Sequence, residues 1–139
     1  MSGWQLTQRH AEMLIASGRA AEAIGELLAA LDGVRSLGIR QPATQLLVVL
    51  SRAHAGSDPG RAAELAAEAV DAARAGQFLL LEGQALTALA VALRALGRDA
   101  EALGAAKEAL GVHEQTGHEP GRAETAALLA GLEGTAGPL

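Results

Sequence analysis

The sequence contains no cysteine, no tyrosine and no asparagine, and only one tryptophan and one phenylalanine among its 139 residues. Without cysteine, the chain can form no disulfide bond and has no thiolate for catalysis or metal binding. Aromatic and β-branched residues, which favour strands, are scarce, whereas 33 residues are alanine. The composition therefore predicts an all-α protein whose core is built mainly from alanine and leucine.

Positive charge and long apolar runs are also scarce. The chain has 11 Lys and Arg residues against 16 Asp and Glu residues, a formal net charge of −5. Nothing in this balance favours direct binding to nucleic acid or to an acidic membrane surface. No apolar run approaches the length of about 18 residues that a membrane helix needs, and the first residues do not resemble a secretion signal. We therefore expect a cytoplasmic protein.

Motifs that would indicate catalysis or cofactor binding are not found. There is no Gly-x4-Gly-Lys-Ser/Thr phosphate loop and no Gly-x-Ser-x-Gly nucleophile motif. His113 and His118 resemble a zinc-binding pair, but ligands on one helix face are four residues apart, whereas these are five apart with Gly117 between them. We expect no enzyme activity, no cofactor and no metal. His113 is interpreted as a histidine near a helix C-terminus, where the helix dipole favours its protonated form.

A short motif occurs three times, as Gly-Arg-Ala-Ala-Glu-Ala from Gly18, Gly-Arg-Ala-Ala-Glu-Leu from Gly60 and Gly-Arg-Asp-Ala-Glu-Ala from Gly97. The intervals of 42 and 37 residues are typical of stacked helical repeats. A second similarity joins residues 84–88 and 122–126, which are 38 residues apart and share Ala-x-Thr-Ala after their first residue. The last helix is therefore predicted to open a fourth, incomplete repeat and to cap the array.

Apolar residues recur at helical spacing between glycines and prolines. The pattern predicts a single domain with a frayed tail at 134–139 and seven helices, over residues 4–17, 20–37, 43–55, 59–76, 80–96, 99–116 and 121–133. Because the linkers are short, consecutive helices should form antiparallel hairpins. Five glycines are expected to end helices in the left-handed conformation, namely Gly38, Gly56, Gly76, Gly97 and Gly117.

Residues 4–133 resemble an array of tetratricopeptide repeats, which are helix-turn-helix units of about 34 residues. In residues 83–114, the matching positions are Leu86, Leu89, Ala90, Gly97, Ala102, Ala109 and Leu110. In residues 4–35, they are Ala11, Gly18, Ala23, Ala30 and Leu31. The middle repeat departs from the pattern, because Leu65 replaces a small residue and residues 56–59 lengthen the turn. The long period and the ending at residues 112–118 are similar to C-terminal repeats of large ATP-dependent transcriptional regulators of actinobacteria.

The resemblance implies a right-handed superhelix with repeats at about 4–38, 43–78 and 80–117 and a capping helix at 121–133. It also implies a non-enzymatic scaffold that binds a protein or peptide in a concave groove lined by the first helix of each repeat. Transferred to this sequence, the groove residues are Gln5, Gln8, Glu12, Gln45, Val49, Arg52, Gln84, Thr87, Val91, Arg94, Arg122, Thr125 and Leu129. Arg52, Arg94 and Arg122 would supply charge for a carboxylate or phosphate, unless they are ordinary solvated or ion-paired arginines.

Two other functions fit the same sequence, a ligand-sensing domain of a bacterial transcriptional regulator and a self-association module such as a homodimer. Direct binding to nucleic acid or membrane is not expected. A chaperone-type carboxylate clamp is excluded, since that subclass uses asparagine. Trp4 is expected to cover the end of the first hairpin or to mark a dimer contact. Phe78, followed by three leucines, is expected to fill the core between hairpins.

Overall fold

The computed structural model describes residues 3–135, which form seven α-helices and no strand. The helices are α1 (Gly3–Ala16), α2 (Ala20–Ser36), α3 (Arg40–His54), α4 (Pro59–Gly76), α5 (Leu79–Ala95), α6 (Asp99–Thr116) and α7 (Glu119–Thr135). The predicted all-α class and the seven helices are confirmed. The predicted frayed tail, residues 134–139, overlaps the last helix, since α7 continues through Thr135. Residues 136–139 lie outside the described residues. None of these helices is long and apolar enough to span a membrane.

Helices α3 and α7 begin earlier than predicted, at Arg40 and Glu119. The predicted starts fall immediately after Pro42 and Pro120. Proline is accommodated in the first turn of a helix, because the N–H that it lacks would have no intrahelical partner there. Both prolines therefore lie within the first turns of their helices.

Each helix contacts the next helix along the chain, and the odd-numbered helices also contact one another, α1 with α3, α3 with α5 and α5 with α7. Across residues 3–135, no comparable backbone contact joins α2 with α4 or α4 with α6. The odd-numbered helices thus form one continuous row, while the even-numbered helices are spaced apart.

Alanines allow the even-numbered helices to approach their neighbours closely. Those buried in α4 and α6 are Ala62, Ala66, Ala69, Ala73, Ala102, Ala105, Ala106 and Ala109. Odd-numbered helices supply larger side chains, including the fully buried Leu46 and Leu50 of α3. Trp4 is half-buried and packs on the core of the first hairpins. The core is therefore a series of close Ala–Leu contacts, as the composition predicts.

The end of α4 differs from the prediction. Gly38, Gly97 and Gly117 do have positive φ values, but Gly56 and Gly76 do not, and Gln77 takes the left-handed conformation with φ of 60°. Gly76 is needed instead for space, since a Cβ atom there would lie 2.6 Å from Cζ of Phe78. Phe78 itself is only half-buried, and the two leucines that follow it are exposed.

The threefold motif marks the start of α2, α4 and α6. Its arginine and glutamate form an ion pair each time, at 2.5 Å in α2, 3.1 Å in α4 and 2.6 Å in α6. Its sixth residue is buried in all three helices. The first glycine has a positive φ at Gly18 and Gly97, whereas Gly60 lies inside α4 after Pro59 and the N-cap Asp58. The motif is therefore a helix start in every repeat, but a turn in only two.

Candidate binding groove

Three cavities follow one another along the row of odd-numbered helices. The first, of about 320 Å³, lies between α1 and α3 and is lined by Trp4, Gln5, Gln8, Arg9, Glu12 and Gln45. The second, the central cavity, has a volume of about 170 Å³ and is lined by Ser51, Arg52, Ala55, Ala88, Val91 and Glu124. The third, the His113 cavity, is also about 170 Å³ and is lined by Arg52, Gln84, Thr87, His113, His118, Pro120, Gly121 and Glu124.

Arg52 and Glu124 separate the central cavity from the His113 cavity. They extend from α3 and α7, and Nη2 of Arg52 is 3.5 Å from Oε1 of Glu124. The side chains are 46% and 48% exposed. Because Arg52 and Glu124 line both cavities, the ion pair forms the wall between the two cavities. If the two side chains separated, the cavities would join.

His113 extends from α6 into the space between α5 and α7 and is only 1% exposed. Its Nε2 atom is 3.0 Å from Oγ1 of Thr87, which is 3.2 Å from Oγ1 of Thr125. The Thr87 hydroxyl donates to the carbonyl of Gly83 at 2.9 Å, and the Thr125 hydroxyl to the carbonyl of Gly121 at 2.7 Å. With both hydroxyl protons assigned to these carbonyls, Nε2 of His113 is the donor to Thr87.

Two glycines make room for the His113 ring. A Cβ atom on Gly83 of α5 would lie 2.9 Å from Cε1 of His113, and one on Gly121 of α7 would overlap the same edge of the ring. Real Cβ atoms do not approach other atoms this closely. The imidazole therefore fits only because both neighbouring helices lack a side chain at this level.

The other ring nitrogen of His113, Nδ1, is buried and has no hydrogen-bond partner among the described residues. Burial lowers the pKa of His113 below 6.5, and electrostatic interactions with His118 and Arg52 lower it further. The Glu124 carboxylate and the Gly83 backbone act in the opposite direction, but do not compensate. His113 is therefore neutral at pH 7, with Nδ1 unprotonated in the arrangement above.

His118 lies in the turn just before α7. Its Nδ1 atom accepts a hydrogen bond from the N–H of Gly121 at 3.2 Å, and its ring centre is 5.4 Å from that of His113. Because Nδ1 must be unprotonated to accept, this interaction uses the neutral ring. His118 thus satisfies a backbone donor that the first turn of α7 would otherwise leave without a partner.

The structure brings together some of the predicted groove residues and separates others. Arg52, Gln84 and Thr87 line the His113 cavity, Val91 lines the central cavity, and Gln45 lies with Gln5, Gln8 and Glu12 in the first cavity. Four of the predicted groove residues are buried rather than exposed, namely Val49, Thr87, Thr125 and Leu129. Of these four, Thr87 still lines the His113 cavity.

The three predicted arginines do not converge on one point. Arg52 pairs with Glu124, and Arg122 pairs with Glu119 of its own helix. Arg94 lies beside the end of α7, where a Cβ atom on Gly131 would be 2.9 Å from its Nη2 atom. Two of the three are therefore ion-paired, as the alternative interpretation of these residues anticipates.

Sequence reasoning missed the roles of Gly83, Gly121, His118 and Glu124 in this site. The available signal is the Gly-x3-Thr spacing, which occurs at residues 83–87 and again at 121–125. It coincides with the similarity between α5 and α7, but nothing in the sequence indicates that an imidazole from α6 enters between them. Within residues 3–135, no group of three or more His, Cys, Asp or Glu residues is arranged to hold a metal ion.

No model of a known protein family matches the sequence, and no curated protein shows significant sequence similarity to it.

Proposed function

We propose that this chain is a non-enzymatic scaffold with a tetratricopeptide-like superhelical arrangement, and that it binds a peptide segment or partner helix along the odd-numbered helices. The packing supports this arrangement, because the backbones of the odd-numbered helices approach one another closely, whereas among the described residues the even-numbered helices meet only through long side chains such as Arg35 with Glu68 and Arg74 with Glu108. Because the odd-numbered helices are closer to one another than the even-numbered helices are, the stack of helices should curve toward the odd-numbered row. The odd-numbered helices would then line the concave face of a right-handed superhelix.

The observation that carries the proposal is the succession of three cavities on this single row. Peptide recognition commonly uses a series of pockets for successive side chains. Here the first cavity has mainly polar and charged walls, the central cavity offers Ala88 and Val91, and Arg52 stands between the central and His113 cavities. A bound segment would therefore meet polar, apolar and positively charged surfaces in turn.

Selection of short linear peptides displayed on phage tests this function, with the immobilised protein as target. Selected peptides should be synthesised and their affinities measured by calorimetry for the wild type, Arg52→Ala and Arg61→Ala. Arg61 is the matched control, because it is exposed to a similar degree and also pairs with a glutamate, but lies on α4.

We expect Arg52→Ala to weaken binding by about tenfold, the effect of one charge-assisted hydrogen bond, and Arg61→Ala to leave affinity unchanged. Circular dichroism should show equal helicity in all three proteins. Failure to select any peptide, or equal affinity in the Arg52→Ala variant, would argue against docking on this face.

A ligand-sensing domain of a bacterial, cytoplasmic transcriptional regulator is the second candidate. The central and His113 cavities support it, because each offers about 170 Å³ and they share the Arg52–Glu124 pair as a wall. Small-molecule sites typically measure about 300 Å³ or more, so such a ligand would span both cavities. Saturable binding of a small molecule without any peptide binding would favour this candidate.

Self-association is supported by a different surface. An open groove of about 880 Å³ between α1 and α2 contains Trp4, and Leu6 and Leu37 line it while being 56% and 73% exposed. Exposed apolar side chains of this kind are typical of interaction surfaces. Sedimentation of the wild type and of Leu37→Glu would separate a homodimer from a monomer.

A further inference from the structure

The first hairpin has an open face that is covered in the second hairpin. Between α1 and α2 this face forms a groove of about 880 Å³, the α1–α2 groove, where Leu6 and Leu37 are 56% and 73% exposed. A similar space between α3 and α4 measures only about 280 Å³. There the end of α2 contributes Arg35, Gly38 and Ile39 to the walls. The chain therefore contains a covered counterpart of its own open groove.

The two spaces lie at the same place in their hairpins. Thr7 lines the open groove and Thr44 the covered space, and each hydroxyl donates to a carbonyl four residues earlier. Glu26 and Glu68 line them from the even-numbered helices, each eight residues after the first glycine of the motif. The other residues that α3 and α4 give to the covered space also have counterparts in the open groove, namely Gly3, Leu6, His10, Ala30 and Gly33. The segment that covers the second hairpin therefore indicates what fits the first.

That segment is the end of an amphipathic helix with an arginine in its last turn. Nη2 of Arg35 lies 3.0 Å from Oε1 of Glu68. The third hairpin has a similar pair, because Nη2 of Arg74 at the end of α4 lies 2.9 Å from Oε2 of Glu108 on α6. Both arginines stand three residues before the left-handed residue that follows their helix. An arginine at this place thus joins one even-numbered helix to the next.

The α1–α2 groove has an acidic group and an open helix surface for such a segment. The Glu26 carboxylate is 2.8 Å from Nδ1 of His10, and both side chains are nearly half exposed. Beside it, Ala29, Ala30 and Gly33 give α2 a surface of small residues, and a Cβ atom on Gly33 would meet no atom within 4 Å. A docked helix can therefore approach α2 closely while Glu26 stays accessible to it.

We propose that the α1–α2 groove binds an amphipathic helix of another protein, which carries an arginine in its last turn and docks as α2 docks on the second hairpin. The apolar face of this helix covers Leu6 and Leu37. Its guanidinium binds the Glu26 carboxylate, as Arg35 binds Glu68. This site goes beyond the proposed function, since the groove lies between α1 and α2 and not on the row of odd-numbered helices.

A second copy of this chain fits the groove less well. Stacked head to tail, the copy would present the end of α6, where Glu114 stands three residues before the left-handed Gly117. Glu114 would then take the place of the arginine and face Glu26, and like charges repel. The last turn of α7 contains no basic residue that could replace it. The charges therefore favour a helix from a different protein.

A peptide copied from α2, residues 24–40, is the probe, because this segment covers the second hairpin. A hydrocarbon staple between positions 25 and 29 keeps it helical. Ala29 is exposed and borders the α1–α2 groove, so the staple lies away from the buried face of the helix. Trp4, the only tryptophan of the chain, lines the groove. Its fluorescence should shift to shorter wavelength in a saturable way, because the bound peptide removes water from the indole.

Two protein variants locate the docked helix. Leu37→Glu should weaken peptide binding by about tenfold or more, since an apolar contact is replaced by a charge. Leu80→Glu is the matched control and should bind as the wild type does, because Leu80 is also exposed but lies on α5, outside the groove. Arg52→Ala should also leave binding unchanged, which separates this site from the row of odd-numbered helices. Circular dichroism should show equal helicity in all variants.

The arginine is tested by a double-mutant cycle. Glu26→Gln in the protein and Arg35→Ala in the peptide should each weaken binding by about two- to fivefold, the effect of an exposed ion pair. The two changes together should cost no more than either one alone. Fully additive losses would show that Arg35 does not bind Glu26 and would overturn the proposed class of partner.

A second probe guards against failure of a single sequence. It is copied from the end of α4, residues 63–79, contains Arg74 and is stapled at positions 64 and 68. Absence of saturable binding by both peptides, or binding that Leu37→Glu leaves unchanged, would overturn the proposal. Sedimentation without peptide provides the remaining test. A dimer that Leu37→Glu dissociates, in a protein that binds neither peptide, would assign the groove to a second copy instead.

Discussion

The hydroxyl oxygens of Thr87 and Thr125 lie 3.2 Å apart, although 38 residues separate them in the sequence. The two threonines hold equivalent places on α5 and α7, each donating to the carbonyl of a glycine four residues earlier. His113 of α6 completes the group through Thr87. This polar contact joins three helices within a core of alanine and leucine, and so fixes the level at which α7 packs on α5.

Replacing Thr87 by valine should destabilise the protein by about 1–3 kcal/mol, because Nε2 of His113 loses its hydrogen bond to the Thr87 hydroxyl while remaining buried. Thr125→Val should cost less, about 0.5–1.5 kcal/mol, since Thr87 keeps its other contacts. Urea unfolding followed by circular dichroism measures both. Thr44→Val is the control, because the buried Thr44 hydroxyl donates to the Arg40 carbonyl of its own helix and joins no second helix among the described residues. A loss at Thr44 as large as that at Thr87 would contradict a special role for the His113 contact.

Replacing Gly121 by alanine should destabilise the protein by about 1–3 kcal/mol, because the new methyl group meets the rings of His113 and His118. Gly104→Ala is the matched control, since it also adds a methyl group to a helix but meets no atom within 4 Å. It should leave stability unchanged or raise it by up to about 1 kcal/mol, because alanine favours helix more than glycine does. The free energies of unfolding in urea provide the comparison.

The double variant Gly121→Ala with His113→Ala tests whether the overlap with His113 causes the loss at Gly121. If it does, the alanine at 121 should cost less when the imidazole is absent than when it is present, giving a coupling of about 0.5–3 kcal/mol for residues in contact. Additive losses would show that the effect of the alanine arises elsewhere in α7.

Replacing Gly97 by alanine should cost about 1–2 kcal/mol, because φ is 77° there and a Cβ atom is unfavourable in this left-handed conformation. The added methyl group has open space, so the whole cost comes from the backbone. Gly60→Ala, at the equivalent place of the motif, should be neutral or stabilising by up to about 1 kcal/mol, since Gly60 is helical. Thermal or urea unfolding of both variants would show the difference. Equal losses of stability in the two variants would contradict the conclusion that the first glycine of the motif is a turn residue at Gly97 and a helix residue at Gly60.

The sequence predicts the helices far better than it predicts the site. Regular spacing of leucine and alanine reports burial within each helix, so the number and order of the helices follow from local pattern. The neutral, buried state of His113 follows from Gly83 and Gly121, which belong to two other helices, and no local pattern contains that information. The pairing of Arg52 with Glu124 likewise depends on how α3 and α7 approach, 72 residues apart. Local periodicity therefore determines the elements, while the cavity depends on their packing.

Acidification should destabilise this protein through His113 before its carboxylates are affected. The pKa of His113 is lowered in the folded state, so below about 6.5 the unfolded chain binds more protons, and the free energy of unfolding falls by at most about 1.4 kcal/mol per pH unit. The stabilisation is complete above this value. Glu22, Glu101 and Glu119 have pKa values below 4.5 because of their arginine partners, so their contributions are lost only at lower pH. Urea unfolding measured at several pH values below about 6.5 should show the free energy of unfolding falling with pH in the wild type but not in His113→Gln. The same dependence on pH in both proteins would contradict the assignment to His113.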